Sequence, residues 1–380
     1  MRASIPISAF VAAIVGFGGT LAIIIAAANA VGATHIQTAS WVTAICLAMA
    51  FETAWLSWRT KMPVISAWST PGAALIAASS GFTIGEAVGA FLVAGTLLVL
   101  TGLVKPLTQL ISRIPASVAS GMLAGIVVTF AINAARTVPS DPWLVVPLIA
   151  AFFLIRLYNP ALSVLVVLVG GGLAAFLTGR VGSLPAPELS TLTLIMPEFS
   201  LGAIFGLALP LYLVTMASQN LSGLAVLRAA GYHPEPGPLI GVTGLFSLLS
   251  APFGASTTNL AAISAAICTG PDVDPDPAQR WKTGPFYALA YLVFALFGAS
   301  LVALFAVLPQ SLIVLVAGLA LMAPLANALS IALKDEAERM PATVTFAVTA
   351  SGLTLFGVGA AFWGLIAGLA VLFLEKLKKT

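Results

Sequence analysis

Two short polar segments stand at matching places in the two halves of this chain, and both combine hydroxyl groups with residues that start helices. Their candidate binding residues are Ser69, Thr70, Pro71, Gly72, Ser256, Thr257, Thr258 and Asn259. Ser, Thr and Asn cap helices, proline suits a first turn, and glycine lets a ligand come close. Two facing helix N-termini would offer N–H groups and positive dipole ends, which favour an anion such as a carboxylate.

Each segment taken singly is more simply a cap on a kinked helix, with small residues that allow tight packing. The matched pair favours a solute site, because interrupted helices at corresponding places in two halves are typical of transporters. We therefore interpret the pair as a binding site for an anionic solute.

Further candidates lie on an apolar segment over 209–220 that ends in two amides. Gln219 and Asn220 could hydrogen-bond a substrate carboxylate or tie helices together. Asn220 matches Asn29 of the first half, which leaves both roles open for the asparagines and makes Gln219 the stronger candidate for contact. The aromatic side chains that border these segments are Phe253, Tyr212 and Trp68. They could form a wall for a ring-shaped solute, or they could simply pack.

Acidic residues are scarce in the apolar segments. Of the 13 Asp and Glu residues, only Glu52 and Glu86 fall within or at the start of a predicted span. Glu86 suits the cap of a helix N-terminus. Glu52 shares a helix face with Arg59 and could simply reach the cytoplasmic interface, but if a side chain carries a coupling proton, Glu52 is the first candidate.

The elements that hold these residues must lie in a membrane. The chain has 380 residues, of which 60% are hydrophobic and 8% charged, too apolar for a soluble core. Its apolar runs are continuous, as over 162–176, without the alternation of a β-barrel, so we predict an all-α integral membrane protein. The net charge of +3 comes from basic residues scattered over short loops, which indicates membrane topology and no nucleic-acid partner.

At roughly 20 residues per crossing, the chain divides into fourteen predicted spans. They cover 6–32, 40–56, 68–80, 86–104, 116–134, 142–156, 160–178, 201–220, 238–250, 256–269, 283–306, 309–329, 341–354 and 358–375. A polar, proline-containing linker over 181–200 separates a first set of seven, within 1–180, from a second set within 201–380.

Charge asymmetry favours fourteen crossings with both termini in the cytoplasm. That arrangement leaves only Arg136 and Arg180 outside among the 16 Lys and Arg residues. Making both short segments re-entrant would instead place four outside, namely Lys105, Arg113, Arg156 and Arg228. The positive-inside rule prefers the first arrangement.

Internal repetition supports two related halves. The matched pairs are Asn29 with Asn220, Ser69 with Ser256, and Ser117 with Ser311. Their order agrees and their spacing is close to half the chain. Because seven is odd, the second set must be inverted, which puts the solute site near the bilayer midplane between the copies.

The sequence lacks the residues that several other classes of protein require. No GxxxxGK[ST] segment could drive pumping with ATP, and no His, Asp and Glu cluster indicates a metal. Both histidines fall in predicted loops, which makes a Ser/His/Asp enzyme site implausible. Cys46 and Cys268 lie in apolar stretches without metal or redox spacing. We predict no enzyme activity and no cofactor.

Several motifs, taken together, make nearly the whole chain resemble the benzoate membrane transport protein (BenE) family, which are proton-coupled aromatic carboxylate symporters. They are AWSTPGAA at 67–74, LPLYLVTMASQN at 209–220, PFG at 252–254, AAI at 261–263, AAIC at 265–268, QRW at 279–281 and VTASGLTL at 348–355. The resemblance implies kinship with nucleobase and sulfate carriers, half-helices at the third and tenth spans, a core domain from spans 1–4 and 8–11, and a gate domain from spans 5–7 and 12–14.

The resemblance implies uptake of benzoate or a similar small aromatic carboxylate across the inner membrane, by proton symport with alternating access. Where nucleobase carriers use acidic residues on the eighth and tenth spans, this chain has Ser218, Gln219 and Asn259. Two alternatives therefore stay open: an uncoupled or differently coupled anion carrier or channel, and a structural or sensing membrane protein. Whether the protein is a homodimer is also open.

Overall fold

Helices dominate the fold. The computed structural model describes residues 2–104, 115–181 and 183–379, with the side chains at 161, 378 and 379 excepted. Within these ranges, eight helices are long and apolar enough to cross a membrane, or nine if one bent pair counts as a single span. The protein is therefore a multi-pass membrane protein. Two of the predicted cytoplasmic charges, Lys105 and Arg113, lie outside the described residues.

In the described part of the first half there are seven helices and one short strand. They are α1 (Ser4–Ala30), α2 (His35–Thr60), β1 (Ser66–Trp68), α3 (Thr70–Ala78), α4 (Ile84–Leu103), α5 (Ala116–Arg136), α6 (Pro142–Tyr158) and α7 (Pro160–Leu177). Capping boxes begin α2 at Thr34 and α4 at Thr83. At the second of these, the side chain of Glu86 accepts from the Thr83 backbone N–H, which confirms the capping role predicted for this carboxylate.

The second half repeats the alternation of long and short elements. It consists of α8 (Leu201–Ala229), α9 (Pro236–Ser250), β2 (Thr258–Leu260), α10 (Ile263–Thr269), α11 (Thr283–Leu296), α12 (Gly298–Ala306), α13 (Gln310–Ala320), α14 (Met322–Ala332), α15 (Arg339–Ala350) and α16 (Ala360–Lys379). A bend of 61° separates α12 from the helical stretch Pro277–Leu296 that contains α11. Within α8, the turns Ile204–Ala208 and Thr215–Asn220 are π-helical.

The prediction of an all-α protein needs one correction. β1 and β2 pair as a two-stranded antiparallel sheet, with Ser66 opposite Leu260 and Trp68 opposite Thr258. Both strands lead into short helices, and their backbone groups bond to each other inside the protein, where no water is available. This ribbon joins the two halves of the chain.

The linker predicted over 181–200 runs in extended form along the folded helices. Its backbone N–H groups donate to carbonyls of both halves: Ile195 to Pro252 at 2.8 Å, Glu198 to Gly85 at 2.9 Å and Ser190 to Leu296 at 2.9 Å. The linker is therefore fixed to the helices at several points.

Reciprocal polar contacts join the starts of four helices. Ser117, at the start of α5, donates to Glu338 just before α15 at 2.6 Å. Ser311, at the matching place in α13, donates to Asp141 just before α6 at 2.9 Å. Arg180 also bonds Asp141, at 2.6 Å, and this contact, the largest influence on the carboxyl, holds its pKa below the usual value. Each half thus contributes one serine and one acid.

Candidate functional site

The two polar segments singled out from the sequence meet at the β1–β2 ribbon. Ser69 follows β1 and caps α3, where its Oγ accepts from the Gly72 N–H at 3.1 Å. The Ser69 N–H donates to the carbonyl oxygen of Thr257 at 3.0 Å, so the second segment crosses the N-terminus of α3. The predicted proximity of the two segments is therefore present in the fold.

The helix start predicted for the second segment is wrong. Ser256 to Asn259 do not cap a helix: they are extended and lead into β2, and α10 begins only at Ile263. Gly254, with φ of 90°, ends the preceding turn, and the run of Thr, Thr and Asn then pairs with β1. Side chains and one helix N-terminus therefore build the site, in place of two facing helix N-termini.

Three hydroxyl groups form the centre of the site. Thr215 Oγ1 lies 3.0 Å from Ser69 Oγ, to which it donates, and 2.9 Å from Thr257 Oγ1. All three residues are fully buried. Thr215 belongs to the π-helical turn of α8, and the sequence analysis did not single it out. The signal available in the sequence was its position four residues before Gln219, in a segment already considered for binding. The structure adds that this segment is a π-turn, and π-turns frequently mark functional sites.

Two buried polar atoms beside these hydroxyls have no hydrogen-bond partner among the described residues: Ser256 Oγ and Asn259 Oδ1. An unsatisfied buried polar group costs about 1–3 kcal/mol. A solute or water that reached them would recover this free energy. The hydroxyl can donate to a carboxylate, whereas the amide oxygen accepts from a donor.

The remaining predicted residues of the first segment lie at the first turn of α3. Pro71 and Gly72 are buried, and Thr70 is half-buried. A Cβ at Gly72 would lie 2.5 Å from Leu211 Cδ1, so glycine lets α3 pack closely against α8. Its role here is close helix packing.

The three amide side chains named from the sequence, those of Asn29, Gln219 and Asn220, lie in different places. Asn220 is buried and its Oδ1 accepts from the Leu260 N–H at 2.9 Å, so this side chain ties α8 to β2. Gln219 is half-buried, and within the described ranges its side chain makes no hydrogen bond. Asn29 is exposed near the end of α1, so the structure does not bring it to the site.

Of the three aromatic side chains named from the sequence, only Trp68 adjoins the hydroxyl cluster in sequence. Tyr212 is hydrogen-bonded to Thr101 of α4, and Phe253 lies half-buried in the turn after α9. Trp68, next to Ser69, does adjoin the site, and its Nε1 donates to Thr20 at 2.7 Å. The centre of its ring lies 5.5 Å from that of Phe17 and 6.3 Å from that of Tyr291.

Glu52 does not reach the interface, and that expectation is wrong. The side chain is fully buried, and its Oε2 accepts from Thr258 Oγ1 at 2.9 Å. Among the described residues, its Oε1 has no partner. A carboxyl group is thus bonded to Thr258, the residue that directly follows Thr257.

The cluster is closed in this conformation, since Ser69, Ser256 and Asn259 are fully buried. A separate small cavity of about 70 Å³ opens at the other end of α3, beside Ser79, Thr129 and Thr354. Among the described residues, no group of three or more His, Cys, Asp or Glu could hold a metal ion. The site offers hydroxyl donors, a helix N-terminus and adjacent rings, a combination suited to a small anion with an apolar body.

Comparisons with solved structures agree on the fold. The chain superposes with a TM-score of 0.63 on the transmembrane domain of a cyanobacterium bicarbonate transporter, BicA, at 17% identity, covering 96% of this chain and 97% of that one. It superposes equally well, at 0.63, on SLC26A9, at 12% identity, covering 98% of this chain and 66% of that one. At these identities the likeness shows a shared fold.

Sequence comparisons reach closer relatives. The chain is 41% identical over 364 residues to the inner membrane protein YdcO of Escherichia coli (strain K12), covering 95% of this chain and 93% of that one. It is 33% identical over 373 residues to the benzoate membrane transport protein of Acinetobacter baylyi (strain ATCC 33305 / BD413 / ADP1), covering 98% and 95%. A family model described as benzoate membrane transport protein matches residues 2–374. The chain therefore belongs to the benzoate membrane transport protein (BenE) family.

Proposed function

We propose that this protein is a secondary transporter that imports benzoate or a similar small aromatic carboxylate together with protons. The observation that carries the proposal is the buried hydroxyl cluster of Ser69, Thr215 and Thr257 at the N-terminus of α3. No Lys or Arg side chain bonds to these groups within the described ranges. A carboxylate would be held by hydroxyl donors and the helix dipole, with its ring toward the rings around Trp68.

In this proposal, each polar group around the substrate makes the contact that its donor or acceptor chemistry allows. Ser69, Thr257 and the unpartnered Ser256 hydroxyl donate to the carboxylate, and the Gln219 amide reaches the same group from α8. Thr70, Pro71 and Gly72 form the first turn of α3 beside it. Asn259 Oδ1 accepts from a bound water or from a protonated form of the substrate.

The same proposal includes fourteen crossings in two inverted sets of seven. Two observations support the inversion: β1 and β2 run antiparallel, and the contacts of Ser117 with Glu338 and Ser311 with Asp141 exchange equivalent groups between halves. Access alternates when a core of spans 1–4 and 8–11 moves against a gate of spans 5–7 and 12–14.

Import of an anion against the membrane potential needs a coupled cation. An inside-negative potential opposes entry by about 2.3 kcal/mol per charge per 100 mV. Glu52 is our candidate for the proton carrier, because it is a fully buried carboxyl group bonded to β2. Besides Glu52, α2 carries the titratable side chains His35, Cys46 and Arg59, and the neighbouring elements carry Tyr287, Tyr291, Cys268, Arg280 and Lys282. α1, α9, β1 and β2 contribute none.

Thr258 would link the proton to the substrate. Its hydroxyl has one hydrogen and three acceptors within reach: Glu52 Oε2 at 2.9 Å, the Thr243 carbonyl at 3.1 Å and Ser247 Oγ at 3.2 Å. When Glu52 is ionised, Thr258 donates to it. When Glu52 is protonated, Glu52 donates and the Thr258 hydrogen turns to Thr243. This reversal occurs at the residue that directly follows Thr257, where β2 begins.

The test is uptake of labelled benzoate into proteoliposomes. An inward proton gradient should drive accumulation above equilibrium, and collapse of the gradient with a protonophore should abolish it. Protein-free vesicles correct for passive entry of the neutral acid. Accumulation of a different solute, with none of benzoate, would overturn the substrate assignment.

A second candidate function is an uncoupled or differently coupled anion carrier. Two observations favour it: the solved neighbours include a bicarbonate transporter, and Ser218, Gln219 and Asn259 supply no carboxylate at the positions used in nucleobase carriers. Proton-independent anion current through the protein in a planar bilayer would support this candidate against proton symport.

A further inference from the structure

A wide apolar groove lies on the outside of the helices, away from the hydroxyl cluster. It has a volume of about 870 Å³ and runs between α2 and α9. Its walls are built from Phe51, Trp55, Trp58, Val242, Leu245 and Phe246. The α2 residues recur at helical spacing, so they form one stripe. The groove falls within the range of roughly 300–1,000 Å³ found for ligand pockets.

Two cationic side chains, those of Arg59 and Lys61, lie near one end of this groove. Arg59, one turn beyond Trp55 on α2, and Lys61, the C-cap residue three positions beyond Trp58, are both exposed. The Lys61 ammonium lies 4.0 Å from the ring centre of Trp281 and 5.7 Å from that of Trp58. Among the described residues, neither cation has a carboxylate within salt-bridge distance, and the acid that precedes α9, Glu235, lies two turns before Val242.

We infer that this groove is a binding site for an anionic phospholipid, with one acyl chain along the apolar stripe and the phosphate at Arg59 and Lys61. Charge complementarity selects this occupant: a second copy of this chain would bring the same two cations, and a zwitterionic lipid such as phosphatidylcholine would bring a choline cation along with its phosphate. Basic side chains beside an apolar surface at the membrane interface are the features that recognise anionic headgroups. Tryptophans at that level prefer the same interface.

Quenching of tryptophan fluorescence by brominated lipids tests the site, because bromine quenches only rings that it approaches closely. The protein is reconstituted in phosphatidylcholine vesicles with a minor fraction of brominated phosphatidylglycerol or brominated phosphatidylcholine. We expect stronger quenching by the anionic lipid, with a preference of roughly five-fold per basic residue. The excess should vanish in Arg59→Gln with Lys61→Gln, and also in Trp55→Phe with Trp58→Phe.

The matched control is Arg136→Gln with Lys334→Gln, which removes two exposed cations that do not border the groove. This variant should keep the excess quenching. Equal quenching by both lipids, or an excess that survives in the Arg59 and Lys61 variant, would overturn the proposal. Quenching by neither lipid, with association of the protein into dimers, would overturn it in favour of a second copy of the chain.

Discussion

At the scale of residues, our proposal assigns the selection of solutes to the polar atoms around Ser69. Hydroxyls and a helix N-terminus stabilise negative charge weakly enough to release it, whereas a buried Arg or Lys would itself need a permanent partner. In this proposal, the Ser256 hydroxyl and the Asn259 oxygen, which have no partner among the described residues, contact the solute directly or through water. A transport site needs such reversible contacts.

The first prediction concerns the contacts with the carboxylate. Thr257→Val keeps the side-chain shape but removes a donor, and Gln219→Ala removes an amide. Each should weaken apparent affinity for labelled benzoate roughly five- to tenfold, since one hydrogen bond contributes about 1 kcal/mol. Thr257→Ser should restore affinity, and Thr96→Val, an exposed hydroxyl on α4, should change nothing. Unchanged affinity in both site variants would show that the substrate binds elsewhere.

The second prediction concerns proton coupling. Glu52→Gln should still exchange labelled for unlabelled benzoate across the membrane but should not accumulate it when a proton gradient is imposed. Thr258→Val should shift the pH profile of uptake, and Thr258→Ser should restore it, because only the hydroxyl can reverse its bond. Glu86→Gln removes a capping carboxylate and serves as the control. Proton-driven accumulation by Glu52→Gln at the wild-type level would rule out this carrier.

At the scale of elements, polar contacts at helix ends join helices of the two halves. Asp141 joins α6 to Arg180 after α7 and to Ser311 of α13. The matching contact of Ser117 with Glu338 joins α5 to α15. Because these contacts stand at corresponding places in the two halves, breaking one should loosen one side of the helix assembly.

The third prediction follows from the lowered pKa of Asp141. A carboxyl whose folded-state pKa is depressed stabilises the fold above its unfolded pKa, about 3.9, and loses this contribution as the pH falls through the folded value. Thermal unfolding of Asp141→Asn should therefore occur at lower temperature than that of the wild type at pH 7, and the difference should shrink at acidic pH. Asp272→Asn, at an exposed loop position, is the control. A constant difference across this range would contradict the assignment.

At the scale of the whole molecule, the antiparallel ribbon and the half-length helices α3 and α10 determine how the two halves meet. The ribbon brings Ser66 opposite Leu260, although nearly two hundred residues separate them in sequence. The linker is tied down at Ile195 and Glu198, so the halves are also joined outside the ribbon. The number of membrane crossings depends on whether the two short segments cross.

The fourth prediction tests that topology. In fourteen crossings, Ser140 faces outside and Arg228 faces the cytoplasm; with two re-entrant segments, both sides are reversed. Ser140→Cys should react with a membrane-impermeant maleimide added to intact cells, whereas Arg228→Cys should react only after permeabilisation. The native Cys46 and Cys268 are buried, so the parent protein supplies the unlabelled control. Labelling of Arg228→Cys in intact cells would favour the re-entrant arrangement.

The sequence by itself determined the membrane class and the position of the two short segments. It also led to Gln219, Glu52 and Trp68 as candidate functional residues. Those features follow from composition and local spacing, which are properties of neighbouring residues. The helix start at Ser256 was misplaced because strand pairing with β1, a contact between distant segments, overrode local capping preference.

Only the tertiary structure decided which polar atoms meet. It placed Thr215 between Ser69 and Thr257, left Asn29 exposed, turned Tyr212 to α4 and buried Glu52 against Thr258. Each of these outcomes depends on how far apart helices lie and how they are rotated about their axes. Rotation is set by packing over the whole molecule, so no local pattern of residues could reveal it.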